Sequence, residues 1–495
     1  MITDGERDSD STIEGLPTGG VVPITSCCRA IAGTNPAEPL RGPIESGYRM
    51  APTGPAAARL ILAALVVIVG SGGSVMAWAP LDDGARAAAQ TAQVAPPGPD
   101  NRLREPRQWV SRNGYLRVRL VVGVRQVELG GRSVQALVYN GDYMPPTIRL
   151  RPGDRLDLEL ANELPEATNL HVHGMHVSPQ DDSDNIFLHV AAGQTFHYHY
   201  RFPRDLEPGT YWYHSHLHGL SEGQVFAGLS GAIVVEGLRQ YLPPALRHVT
   251  EHLIALKDFQ VRDGAIPTTD IDSNAPTTRT VNGQINPTIE MRPGETQLWR
   301  LANIGADIFY ELELPGRRFH VLAEDANPVS RVWSADTLVL PPGKRYDVLV
   351  QAGPSGRSSL LTLSYDQGGD QYPQEPLADV VTTGPAMRPA ALPTTFAPAE
   401  DLTDAQVVQR RTMVFSEDEA SSKFFINGRQ FDPNRVDVRS RLDTVEEWTV
   451  RNVTSEQHPF HIHVNDFQVM RVNGAPYQAL SPQDTVVLPA HGEVV

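Results

Sequence analysis

Cysteine is almost missing from this chain: 495 residues contain two, the adjacent Cys27 and Cys28, and both precede the globular part. A disulfide framework is therefore excluded, and no cysteine thiolate is available as a metal ligand further along. Positive charge is also short. Lys and Arg number 42 against 58 Asp and Glu, a formal net charge of -16, which argues against nucleic acid or an anionic membrane surface as partner. Long apolar runs are absent too, since Leu60 to Gly70 (LILAALVVIVG) is too short to span a bilayer. Helical periodicity is equally scarce: beyond the N-terminal region no stretch of ten or more residues has a convincing 3.6-residue repeat.

The short apolar run has a different use. Arg59 precedes it and the small-residue pattern Val75-Met76-Ala77 follows, the make-up of a Sec-type signal peptide over residues 50–79 that starts at Met50. Residues 1–49 are polar and without periodicity, as expected of a disordered leader or a start codon placed too early. Residues 80–106 read as a linker. The expected location is periplasmic or extracellular with no stable membrane partner, an uncleaved signal anchor being the alternative.

What is plentiful is apolar residues, 40% of the chain, enough for two to four domain cores. An internal repeat divides them. Asn140-Gly141 precedes MPPTIRLRPGDRLDLELAN, Asn282-Gly283 precedes INPTIEMRPGETQLWRLAN, and a looser third copy starts at Asn427-Gly428, so the unit recurs after 142 and then 145 residues. Within the first copy Ile148 and Leu150, then Leu156, Leu158 and Leu160, alternate with polar residues across an Arg-Pro-Gly-Asp turn, which predicts a period-2 hairpin with one buried face. The fold expected is all-β: three tandem β-sandwich domains over 107–240, 241–384 and 403–495, with a Pro/Ala-rich linker over 385–402.

Three His-x-His pairs lie on this repeat: His171/His173, His214/His216 and His461/His463. In a strand, residues i and i+2 share a face roughly 7 Å apart, so each pair can offer two nitrogens to neighbouring metal ions. His171 lies 31 residues after Asn140 and His458 lies 31 after Asn427, so copies one and three carry equivalent histidines. The same offset in copy two reaches Glu313, which predicts a metal-free middle domain. His214 lies 74 residues after Asn140, and that offset from Asn427 gives position 501, beyond Val495. The expectation is that the third domain is incomplete as given. A fourth pair, His197/His199, alternates with Phe196, Tyr198, Tyr200 and Phe202 and reads as the solvated face of a strand. His176, His189, His218, His248, His252, His320 and His491 read as ordinary histidines, with His218 and His176 the best candidates to support the ligands from behind. Six imidazoles from two domains exceed what a mononuclear zinc, iron or nickel site needs, and copper clusters that handle dioxygen fit better.

HVHG at His171 to Gly174, GTYWYHSHLHG at Gly209 to Gly219 and HPFHIHVNDF at His458 to Phe467 resemble three of the four copper signatures of three-domain multicopper oxidases, laccases and bacterial cuprous oxidases among them. The likeness runs from about Val110 to Val495. It implies cupredoxin-like Greek-key domains, with His171 and His461 on a type 2 copper and His173, His214, His216 and His463 on a type 3 pair. It further implies that His458 belongs to a type 1 copper, only partly encoded here, and that Asp182 is similar in placement to the family's proton-supplying acid, with Asp181 and Asp184 competing. The activity implied is one-electron oxidation of a small reducing substrate coupled to reduction of dioxygen to water. The family's His-Cys-His signature is missing, so a chain of these residues alone is expected to lack turnover. The alternative is a non-catalytic exported copper-binding or scaffolding protein of the same fold. Nine methionines form no cluster that would favour Cu(I), which tilts the expected substrate towards phenols.

Overall fold

The computed structural model describes residues 101–418, 423–477 and 481–495, together with the backbone of 24–26. The expected leader, the export signal over 50–79, both cysteines and residues 80–100 of the first linker lie outside the described residues. Residues 101–106 run along the middle domain, where Leu103 donates its N–H to Thr288 O at 2.8 Å.

The strands sort into three successive sandwiches. The first pairs a four-stranded sheet, ordered Arg132–Tyr139, Tyr115–Leu129, Arg155–Asn162 and Thr195–Arg201, with a five-stranded sheet, ordered Gln108–Val110, Thr147–Leu150, Ser230–Val235, Gly209–His214 and His171–His173. Between them lies a core in which Leu156, Leu158, Leu160, Tyr198 and Tyr200 meet Ile148, Leu150, Tyr211, Tyr213 and Ile233. The second sandwich has sheets of six and five strands between Glu251 and Thr382. The third has a six-stranded sheet between Val407 and Val494 and a three-stranded one, Ile24–Ser26, His458–Ile462 and Thr485–Leu488. The architecture is all-β with three tandem cupredoxin-like domains. Among the described residues no helix is long and apolar enough to cross a membrane.

The Asn-Gly landmark of the repeat is the same turn three times. Asn140, Asn282 and Asn427 have φ of 55°, 51° and 52°, and the glycine after each is also left-handed. Two consecutive positive φ values define the tight turn whose twist matches a hairpin, and Asn followed by Gly is the pair that adopts it at least cost. Each Asn also accepts a backbone N–H with Oδ1, from Val121, Ala255 and Val414 at 2.7, 3.0 and 2.8 Å.

One expectation fails. The segment with Ile148, Leu150 and Leu156 to Leu160 is not a hairpin: Thr147–Leu150 pairs in parallel with Ser230–Val235, whereas Arg155–Asn162 pairs in parallel with Tyr115–Leu129 in the other sheet. The Arg-Pro-Gly-Asp turn is thus an arch from one layer to the other. Alternation states which residues face the core, and that holds here, but it is silent on which strand supplies the hydrogen bonds. The Pro/Ala-rich segment over 385–402 is packed on the middle domain, with Val332 donating to Thr394 O at 3.0 Å and Phe396 seated beside its core.

Candidate metal centre

Strand register brings the first two His-x-His pairs together. His171–His173 runs antiparallel to Gly209–His214 with His171 directly opposite His214. The third pair enters from the other domain on His458–Ile462, where His461 lies opposite Thr485. The rings interlock across the domain boundary: His171 stacks on His463 at 4.1 Å between centroids, and His173 stacks on His461 at 3.7 Å. His214 and His216 stand edge-on to His171 at 5.1 and 5.2 Å. Donor nitrogens of His171, His173 and His461 lie within 4.8 Å of one another. All the rings are buried except that of His216, which is half-buried.

Outer hydrogen bonds decide which nitrogens face inward. His171 donates Nδ1–H to Asp184 Oδ2 at 2.8 Å, His214 to Ser215 O at 2.8 Å and His461 to Asp484 O at 2.7 Å. A carbonyl or carboxylate can only accept, so the proton is on Nδ1 and the lone pair is on Nε2. Those three Nε2 atoms are buried and have no hydrogen-bond partner. At His173 the polarity is reversed, because its Nε2 faces Asp484 Oδ1 at 3.3 Å and Thr485 Oγ1 at 3.4 Å. Loss of hydration, reinforced by neighbouring imidazoles, holds His173, His214 and His463 well below the ordinary histidine range and His216 down to about 3. Buried, neutral, lone-pair-bearing imidazoles without protein partners are what a borderline-soft metal ion requires.

The remaining candidates lie elsewhere. Asp182 is on the surface with its side chain 57% exposed, where His199 Nδ1 meets Oδ2 at 2.8 Å. Asp184 is the carboxylate that reaches the cluster: besides His171 it accepts the N–H of Val172 at 2.9 Å. The loop over 178–185 curls back on itself, with Asp181 left-handed and Asp184 N–H on Ser178 O, and so turns Asp184 inward. His458 is buried apart, with Nε2 2.8 Å from Thr454 Oγ1 and Phe424 edge-on at 6.2 Å. His197 and His199 are exposed, as their alternation predicts. His176 Nε2 lies 3.1 Å from Asp466 Oδ2, and His218 packs on Phe431 at 4.8 Å.

The multicopper oxidase family description matches residues 122–240, 251–362 and 400–495. The cell division protein FtsP of Edwardsiella tarda is 31% identical over 70% of this chain and 75% of its own length. The multicopper oxidase mco of Staphylococcus aureus is 24% identical over 73% and 77%. The chain belongs to the multicopper oxidase family. A solved multicopper oxidase from Campylobacter jejuni, described as a metallo-oxidase, superimposes with a TM-score of 0.70 at 26% identity, covering 79% of this chain and 88% of that one.

For a multicopper oxidase family member copper is the implied metal, and the inward Nε2 atoms of His171, His214 and His461 fit it. Sequence reasoning missed the residues that hold the cluster from behind. Asp484, Arg345 and Lys344 are buried at the centre of the molecule. They were hidden because the segment Pro341 to Lys344 reads as a turn and QDTVVL as an ordinary strand start.

Both inward strands end in a left-handed residue, Gly174 at φ +79° after His173 and Val464 at φ +73° after His463. A β-branched residue is strained there by about 1–2 kcal/mol. Val464→Gly is therefore expected to stabilise the protein by about 1 kcal/mol after the unfolded-chain entropy of glycine is subtracted. Urea denaturation checks this, and a lower midpoint in the variant would show that Val464 packing outweighs the strain.

Proposed function

We propose that the six clustered histidines hold copper and that the protein is an oxidase, coupling one-electron oxidation of a small reducing substrate to reduction of dioxygen to water. The observation that carries this reading is the convergence of three buried, partnerless Nε2 atoms, on His171, His214 and His461, from two domains. In the family's terms His171 and His461 would hold the type 2 copper, and His173, His214, His216 and His463 the type 3 pair; His458 would serve the type 1 site. Bound copper supplies one-electron redox chemistry and the binding of dioxygen.

The chain's own residues orient and insulate. Asp184, Ser215 O and Asp484 O fix three ring tautomers so that Nε2 points inward. His173, held by Nε2, presents Nδ1 instead. Trp212 stacks on His214 at 4.0 Å and closes the cluster on the first-domain side. Asp184 takes the place of Asp182 as the acid of the centre, since it alone of the two touches a cluster histidine. Export to the periplasm or cell exterior, where copper and phenolic donors are met, is part of the same proposal.

The test loads the protein with Cu(II), measures bound copper, reduces it with ascorbate under argon and then admits dioxygen. Expected results are tight copper binding and oxygen uptake in proportion to copper, with His461→Ala lowering copper affinity at least tenfold. Failure of the wild-type protein to retain copper would refute the proposal. Copper retained without oxygen uptake would favour a second reading, a non-catalytic copper-binding or scaffolding role. The resemblance to FtsP, a cell division protein, is what keeps that reading in view.

A further inference from the structure

The middle domain contributes no histidine to the cluster, yet it reaches the centre of it. Arg345 begins the strand Arg345–Gln351 and is 0% exposed. Its Nη1 and Nη2 donate to Asp484 Oδ1 and Oδ2 at 2.8 and 2.7 Å, a bidentate pair, and its Nε donates to Thr210 O at 3.0 Å. Thr210 lies on the strand that carries His214. Asp484 is in turn the one residue that touches a histidine from each metal-side domain, His173 through Oδ1 and His461 through its backbone carbonyl. Those two rings are the stacked pair at 3.7 Å. Lys344 completes the frame: Nζ donates to Asp325 Oδ2, Gln483 Oε1 and Thr485 O at 2.9, 2.8 and 3.1 Å, and Asp325 Oδ2 accepts the N–H of Thr485 at 3.1 Å.

We propose that Arg345 is a positioning residue for the histidine cluster, and that the middle domain through it sets the tautomer of His173 and the placement of His461. The chemistry is that of a clamp. A guanidinium gripping both carboxylate oxygens permits one orientation of Asp484, and that orientation puts Oδ1 where only a His173 Nε2–H can satisfy it. With Nε2 protonated, the lone pair of His173 is on Nδ1. Without Arg345 the carboxylate is free to rotate or to take up a proton, Nε2 loses its fixed acceptor, and His173 can present the wrong nitrogen. Asp484 then no longer holds its carbonyl on His461 Nδ1.

This inference rests on the copper reading above, and the experiment separates the two. Cu(II) affinity, measured by chelator competition, and the Cu(II) electron paramagnetic resonance spectrum are compared in the wild-type chain, R345M, R345K and R300M. Arg300 is the control: it is equally buried and ion-paired, to Asp347 at 2.9 Å and Glu251 at 3.1 Å, but it contacts no histidine. R345M is expected to lose at least tenfold in Cu(II) affinity with altered copper hyperfine splitting. R345K, which keeps the charge but not the two-point grip, is expected to lose at least threefold with the same spectral change, and it is the variant read if R345M does not fold. R300M is expected to be less stable yet within twofold of wild type in affinity, with an unchanged spectrum. Wild-type affinity and spectrum in R345M, or in R345K where that is the variant read, would overturn the inference alone. So would an equal loss in R300M, which would reduce the effect to general destabilisation. A wild-type chain that takes up no copper would overturn the copper reading and this inference with it.

Discussion

The copper-free protein is expected to lose stability steeply as pH falls from 7.5 to 5.5. Dehydration and mutual repulsion keep His173, His214 and His463 neutral well below the ordinary histidine range, and His216 down to about 3. In the unfolded chain each regains a value near 6.5. Below that pH the unfolded state binds protons that the native state refuses, so their contribution is fully present above pH 6.5 and is lost as pH falls. Each such group is worth up to about 1.4 kcal/mol per pH unit. Two groups pull the other way in this window: Asp258, pushed up to about 7 by burial, and His176, raised by its contact with Asp466. Four against two leaves a net loss on the order of 3 kcal/mol per pH unit, large beside a domain stability of about 5–15 kcal/mol. Urea midpoints of the copper-free protein between pH 5.5 and 7.5 read this directly. Replacing His216 or His463 by Asn should flatten the slope by about 1.4 kcal/mol per pH unit for each. A flat profile in the wild-type protein would mean that the cluster is hydrated, and the dry cage inferred from its burial would be wrong.

Those histidines were legible in the sequence because their signal is local. Two residues apart on a strand means one face, and a fixed distance from an Asn-Gly turn means an equivalent place in each domain. The same locality separated His197/His199, whose neighbours Tyr198 and Tyr200 fill the core, from the pairs that converge. Partnership between distant segments was not legible. Ile148 and Leu158 alternate as a hairpin does but belong to opposite sheets, because hydrogen-bond partners are chosen by the whole sandwich. Asp182 matched by counting residues, whereas Asp184 reaches His171 through a curled loop that counting does not see. Arg345 and Asp484 escaped notice for a related reason. A charge in a strand ordinarily marks the wet face, and only the assembled three domains show that these two are buried against each other.

The same ion pair explains the glycine of HVHG, and Gly174→Ala is expected to be the costliest single methyl that can be added near the site. Gly174 is left-handed at φ +79°, which alone strains any other residue by about 1 kcal/mol. A Cβ there would also overlap Asp484 Oδ2 and come within 2.7 Å of Arg345 Nη2. Neither atom can withdraw, since each is the other's partner and both side chains are at most 1% exposed. The alanine must therefore break a buried ion pair, which costs about 3–5 kcal/mol because the separated charges stay out of water. Gly219 supplies the comparison. It too follows a His-x-His sequence and is left-handed at φ +81°, but a Cβ on it would meet nothing within 4 Å. Gly219→Ala should thus cost only the backbone strain of about 1 kcal/mol. Urea denaturation of both variants, with Cu(II) affinity measured alongside, tells crowding from strain. Gly174→Ala should be lower in stability by at least about 3 kcal/mol and weaker for copper, since the displaced carboxylate is the one that holds His173. Equal effects at the two positions would mean that the glycine after His173 serves only the turn, and that Asp484 and Arg345 tolerate displacement.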